Sequence, residues 1–232
     1  FGLASGWLRV GFGLAPGWLR VGVGLAWGGL WAALWAGRRA GDAAGFKARL
    51  TRAFSCWGQE NVVEITDFGD TPGGSVFFVM EFLAGEDLSG TVESNGPLSW
   101  ERVKPIMLQI CNALQAAHDA GIIHRDMKPE NCFRIKRGQN EDFIKVLDFG
   151  IAKVTSEEGE GGKGLTRTGM IFGTPEYMSP EQAQGQKVDH RVDVYATGVI
   201  MYELLTGRVP FTADTFMGIL TKHMFEIPEA PT

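Results

Sequence analysis

Hydrophobic and polar positions change rhythm several times along the chain. Val62, Val63 and Ile65 form a short β-branched run, a turn through Gly69, Pro72, Gly73 and Gly74 comes next, and Val76–Phe82 is a second apolar run. β-Branched and aromatic residues on either side of a Gly/Pro cluster predict a hairpin with a loose loop. Leu98–Ala120 then changes to helical spacing, with Val103, Ile106, Ile110, Leu114 and Ala117 on one side. Ser99 is suited to its N-cap, and Pro105 lies early, where a helix tolerates proline. Cys132–Ile135 and Phe143–Leu147 read as a second hairpin. Val194–Leu205 is apolar nearly all round, which predicts a central buried helix closed by Gly207. A last helix is expected around Thr215–Phe225.

The first 45 residues obey neither period. Phe1–Gly11 and Phe12–Gly22 are copies of one another that differ at Ser5 and Pro16, and Val23–Ala33 is a decayed third copy. An eleven-residue repeat could give a helical supercoil, but each glycine costs about 1 kcal/mol in a helix interior and Pro16 interrupts the hydrogen-bond ladder. Val21–Gly37 is an uncharged run of 17 residues between Arg20 and the pair Arg38 and Arg39. That is the lower edge of a membrane span, and the arginine pair would place the downstream chain on the cytoplasmic side. The alternatives are a tail and low-complexity translation from duplicated DNA. Residues 1–45 are therefore expected to form a Gly/Trp repeat outside the folded body, with 21–37 as a candidate membrane segment. The first residue is Phe1 and the first methionine is Met80, so the chain reads as a fragment or a mispredicted reading frame.

Composition adds exclusions. The chain has 232 residues, 44% hydrophobic and 21% charged, with a net charge of −5. Collagen-like and wholly disordered classes do not fit, and no nucleic-acid footprint is visible. Cys56, Cys111 and Cys132 contain no CxxC pair and read as buried, reduced thiols. His118, His190 and His223 show no metal-ligand spacing and read as core or surface residues.

The candidate chemistry lies between the hydrophobic segments. His124-Arg125-Asp126-Met127-Lys128-Pro129-Glu130-Asn131 comes after the first long helix, and Asp148-Phe149-Gly150 after the second hairpin. Gly173-Thr174-Pro175-Glu176-Tyr177-Met178-Ser179-Pro180-Glu181 closes a long polar segment. With the VMEF and GEDL strings before them and DVYATGVIMYELLTGRVPF after, the run from about Asn61 to Pro231 resembles the bacterial branch of the eukaryotic-like (Hanks-type) serine/threonine protein kinases. The resemblance implies an α+β, bilobal fold with a helical C-lobe and a truncated N-lobe sheet. Residues 46–83 would be the N-lobe remnant and hinge, and 84–232 a truncated C-lobe, so the domain is expected to be incomplete at both ends.

It also implies transfer of the ATP γ-phosphoryl to a protein Ser/Thr hydroxyl, with ATP and Mg as cofactors. Such chemistry needs positioning and neutralisation of phosphate charge more than covalent help. Asp126 stands where the family's base sits, Lys128 would reach the transferred phosphate, and Thr174 would bond both. Asn131 and Asp148 would hold Mg through oxygen, as a hard cation prefers. Their oxygens are expected to converge. Met80 would be the gatekeeper, Glu81 and Leu83 would meet the adenine edge, and Asp87 the ribose. Arg125 would pair with a phosphate on Thr166 or Thr168. His124 would pack on Phe149, and Asp193 would bond the catalytic-loop amides.

The pattern departs from the family before the hinge. No glycine-rich loop or VAIK-like lysine is visible, and the only lysine before Met80 is Lys47, 34 residues ahead of Glu81. The alternative is therefore a catalytically impaired kinase-like binding module or gene fragment. The expected partner is a protein substrate, without nucleic acid, and with a membrane only through 21–37. The expected location is the cytoplasm, or a membrane tether with the kinase part cytoplasmic.

Overall fold

A computed structural model describes residues 18–20, 33–37, 58–70, 76–149 and 174–231. The chain divides into two compact units, one of Phe1–Ala44 with Val63–Phe82 and one of Gly45–Val62 with Leu83–Thr232.

In the first unit, strands β1 (Trp18–Arg20), β2 (Ala33–Gly37), β3 (Ile65–Asp70) and β4 (Val76–Met80) form an antiparallel sheet in the order β1-β2-β4-β3. The expected hairpin is β3–β4, running from Ile65 opposite Met80 to Asp70 opposite Val76, with an irregularity between Ile65 and Asp67. Strand β3 extends further into the turn than the sequence suggests. Asp67, Gly69 and Asp70 disfavour strands on their own, but the ladder against VFFVM supplies their backbone partners. The repeat segment was expected to lie outside the folded body. Instead it contributes β1 and β2, and β2 pairs with β4 from Ala33 opposite Met80 to Gly37 opposite Val76. A run poor in helix formers can still complete a ladder, because strand pairing is set by the neighbour more than by intrinsic preference. Among the described residues no helix is long and apolar enough to cross a membrane, and the 21–37 segment ends in β2.

The second unit carries a three-stranded antiparallel sheet, β5 (Gly85–Asp87), β6 (Cys132–Arg137) and β7 (Asn140–Val146), in that order. Its helices are α1 (Leu88–Asn95), α2 (Trp100–Asp119), α3 (Pro180–Ala183), α4 (Arg191–Thr206) and α5 (Phe216–Phe225). The stripe read from α2 is its core face: Val103, Ile106, Ile110, Leu114 and Ala117 are all buried. Pro105 sits in the second turn rather than the first, so the helix forgoes the bond from residue 105 to the carbonyl of Glu101. Helix α2 packs on α4 and on β7.

Helix α4 buries Val192, Asp193, Ala196, Val199, Ile200 and Leu204, as its apolar sequence requires, although Val194 is 61% exposed. Gly207 ends it at φ 73°, its N–H donating to Glu203 O at 2.7 Å. Buried Asn61 ties its segment to both neighbours, donating to Ile144 O at 2.8 Å and to Gln109 Oε1 at 3.1 Å. Cys132 is buried as expected, and burial pushes its thiol well above the ordinary range. Cys111, against expectation, is exposed at the surface of α2.

Candidate active site

The loop that carries the HRD string starts where α2 stops. Gly121 adopts φ 74°, Gly121 N donates to His118 O at 2.9 Å and Ile122 N donates to Ala117 O at 2.8 Å. This is a Schellman closure, in which the left-handed residue is a glycine because a side chain would strain it. The chain then runs past α4, where Asp193 is 1% exposed and acts as a hub. Its Oδ2 accepts from His124 N at 2.8 Å, its Oδ1 accepts from Arg125 N at 2.7 Å, and Oδ2 also meets His118 Nε2 at 2.7 Å. Two adjacent amides on one carboxylate fix the loop backbone. Arg125 holds φ 64°, and its carbonyl accepts from Gln182 Nε2 at 3.2 Å.

His124 is fully enclosed. Its Nε2 donates to Leu147 O at 2.7 Å, its Nδ1 accepts from Asp126 N at 3.3 Å, and its ring lies 4.9 Å from that of Phe149. One ring nitrogen therefore donates and the other accepts, which describes a neutral imidazole. Desolvation holds its pKa below the ordinary histidine value, against the pull of Asp193. The packing on Phe149 and the amide bonds to Asp193 are those that the resemblance implied.

Asn131 is 5% exposed at the end of a 3₁₀ turn, Pro129–Asn131. Its Nδ2 donates to Asp126 O at 2.7 Å, and its backbone carbonyl accepts from Leu147 N at 2.9 Å. The β6–β7 ladder, with Cys132 opposite Val146, sets up that second bond. Asp148, next in the chain, stands at φ 55°, a conformation that aspartate tolerates better than most residues. One side-chain and one backbone bond thus join the stretches that carry Asp126, Asn131 and Asp148. Lys128 Nζ donates to Thr174 Oγ1 at 3.3 Å, which is half of the pairing expected of Thr174. Arg125, Asp126, Lys128, Thr174, Tyr177 and Gln182 line one small cleft.

The remaining candidates lie outside that cleft. Met80 closes β4 and is half-buried. Glu81 N donates to Glu64 O at 2.9 Å, and Glu81 Oε1 accepts from Glu64 N at 2.8 Å. The chain passes from one unit to the other between Phe82 and Leu83, where the hinge was read. Asp87 is the N-cap of α1, its Oδ1 accepting from Gly90 N at 2.8 Å, so it has a structural task that the ribose reading did not include. Thr166, Thr168 and Lys47 lie outside the described residues. Glu181 is half-buried in the first turn of α3.

His118 and Gln182 are the functional neighbours that the sequence reading missed. His118 was set aside for lack of ligand spacing, yet it braces Asp193 across 75 positions of sequence. The usable signal was its place in the last turn of α2, three residues before the glycine that turns the chain into the HRD loop.

Comparison with known proteins agrees with this geometry. The protein kinase domain family matches residues 50–231. Serine/threonine-protein kinase pkn3 of Myxococcus xanthus is 48% identical over 184 residues, covering 79% of this chain and 34% of that protein. Serine/threonine-protein kinase Pkn1 of the same organism is 46% identical over 181 residues, covering 78% and 25%. Serine/threonine-protein kinase PknB of Mycolicibacterium smegmatis is 39% identical over 174 residues, covering 74% and 27%. The chain spans about a third or less of the length of these relatives. With the HRD, Asn131 and DFG segments wired together by these bonds, the chain belongs to the protein kinase family, in its bacterial serine/threonine branch.

Proposed function

We propose that the chain transfers the γ-phosphoryl group of ATP to a Ser or Thr hydroxyl of a protein substrate. The observation that carries this reading is the bond from Asn131 Nδ2 to Asp126 O together with that from Leu147 N to Asn131 O. These hold the base and both candidate metal ligands on one scaffold. The substrate hydroxyl oxygen forms the new bond to phosphorus, the bond from phosphorus to the bridging oxygen of ADP breaks, and the hydroxyl proton passes to Asp126. Lys128 offsets charge on the transferred group, and Thr174 orients Lys128.

The donor set suits Mg. Asn131 and Asp148 offer oxygen, and the amide nitrogen of Asn131 is already committed to Asp126 O, which leaves its Oδ1 as the end for a hard cation. When bound, the metal supplies neutralisation of phosphate charge. Met80 borders the adenine site, and Glu81 contributes through its carbonyl because its N–H is committed to Glu64. Leu83 adds backbone contacts. Asp87 reaches the ribose with the oxygen that does not cap α1. Arg125 receives a phosphate placed on Thr166 or Thr168.

One observation favours a second reading. Lys47 is the only lysine before Met80, so the usual pairing of a strand lysine with the α/β-phosphates is missing from the string. By analogy with loss of one preorganised donor, this lowers the rate about 10²–10³-fold. The test is radiolabel transfer from γ-labelled ATP to a generic protein substrate, with Asp126→Asn as control. Slow, Asp126-dependent transfer is expected. ATP binding without any transfer would establish the impaired binding module instead.

A further inference from the structure

His223 belongs to no catalytic motif, yet it is 4% exposed in α5. Its Nδ1 lies 2.6 Å from Tyr195 OH of α4. Its ring meets Phe211 edge-on, with centroids 4.9 Å apart, and Tyr195 likewise at 5.6 Å. Its Nε2 is buried without a hydrogen bond that satisfies ordinary geometry. Helix α5 packs directly on the 3₁₀ turn Pro175–Tyr177. That turn comes directly after Thr174, the residue that meets Lys128.

The same turn is anchored a second time. Tyr177 OH donates to Glu203 Oε2 of α4 at 2.6 Å. Two aromatic–polar pairs, Tyr177 with Glu203 and Tyr195 with His223, thus flank one turn from two helices. A buried imidazole is an odd choice for filling space alone, because an unmatched ring nitrogen in an apolar pocket is unfavourable. Leucine or phenylalanine would fill the space without that penalty. Retaining the polar ring makes sense if it fixes a neighbour.

We infer that His223, oriented by Tyr195, is a positioning residue that holds the Pro175–Tyr177 turn, and through it Thr174, in the arrangement that receives the protein substrate. This rests on the phosphotransfer reading above. Tyr195 keeps its proton, since burial, with Glu181 adding to it, pushes the phenol up to about 12, so its hydroxyl donates to Nδ1. Nε2 then carries the imidazole hydrogen, in a helix that packs on the turn; burial lowers the ring pKa, partly opposed by the Glu176 backbone of that turn. His223 meets Tyr195 and Phe211, and its helix packs on the Pro175–Tyr177 turn, so its effect falls on substrate capture.

The test uses the full chain with His223→Gln, His223→Leu and Tyr195→Phe, the last removing only a hydroxyl. The first readout is amide hydrogen exchange. Tyr177 N and Met178 N bond Thr174 O and Pro175 O at 3.3 Å each, and His124 N and Arg125 N serve as internal references on Asp193. Exchange at Tyr177 and Met178 should rise about fivefold, the factor that loss of one ordinary hydrogen bond corresponds to, with the references unmoved. The second readout is steady-state phosphotransfer. KM for the protein substrate should rise by a similar factor, with kcat and the KM for ATP within about twofold, the pattern of lost uniform binding.

Unchanged exchange at the turn in all three variants overturns the inference. So does an equal acceleration at the turn and at His124 and Arg125, because that is general destabilisation. If the unsubstituted chain shows no Asp126-dependent transfer, the phosphotransfer reading fails. The exchange data alone then decide whether His223 holds the turn.

Discussion

Asp193→Asn is the most informative single substitution in the catalytic loop. The carboxylate serves His124 N and Arg125 N through separate oxygens and shares Oδ2 with His118 Nε2. An amide retains one acceptor and turns an NH₂ group toward the other partner. Hydrogen bonds to a charged group contribute ~1.5–3 kcal/mol, and a buried donor left without an acceptor costs ~1–3 kcal/mol. With Asp193 1% exposed, water cannot substitute, so about 3 kcal/mol should be lost from a reserve of ~5–15 kcal/mol.

The assay is urea unfolding monitored by tryptophan fluorescence. At a slope of ~1–3 kcal/mol per molar, the midpoint should fall by roughly 1–3 M with the slope unchanged. A double-mutant cycle with His118→Gln should return a coupling above about 0.5 kcal/mol, since the two side chains touch. Amide exchange at His124 and Arg125 should accelerate more than elsewhere. A midpoint shift below about 0.2 M, well inside extrapolation error, with both amides still protected, would refute the hub reasoning.

Three further outcomes are expected. Gly85→Ala should break the β5–β6 pairing, because a Cβ there would lie 2.0 Å from Arg134 O, a backbone atom that cannot step aside; calorimetry should show a loss of at least ~1–3 kcal/mol. Stability should fall as pH drops below ~6.5, because His124 and His223 are held below that value by burial while their unfolded forms titrate near it. The unfolded chain then binds more protons, so full stability is present above ~6.5 and is lost toward the folded pKa values; midpoints of urea unfolding at stepped pH check the sign, and His223→Gln should flatten the slope. Deleting residues 1–45 should remove β2 from β4 and leave a two-stranded hairpin, a marginal element by itself, so exchange at Val76–Met80 should rise while the second unit melts as before.

What could be read in advance depends on the range of the interaction involved. The α2 stripe was legible because period and burial are properties of the helix itself, and all five positions on it are buried. Gly207 was legible for the same reason: a left-handed cap is a local conformation with a local residue preference. The extension of β3 through Asp67 and Asp70 was not, because its stability comes from β4, and the strand's own residues argue against it. Strands β1 and β2 were missed on the same ground, since a glycine-rich repeat has no strand signal until a neighbour supplies the ladder.

The candidate site divides along that line too. Asp126, Asn131 and Asp148 could be named from motif spacing, yet the bonds that bring their segments together run through Leu147 and the Asp126 carbonyl, which no motif marks. The resemblance implied that Asp193 bonds the loop amides, but its partner His118 lies 75 positions away and carries no motif signal. Brought into contact, they place a braced carboxylate under two consecutive loop amides, and that placement holds Arg125 at φ 64° beside Asp126. A positive φ in a non-glycine residue persists only when its surroundings over-determine it. The carboxylate under those two amides, with the brace from His118 that spacing does not mark, therefore fixes the backbone at Asp126 beside the cleft.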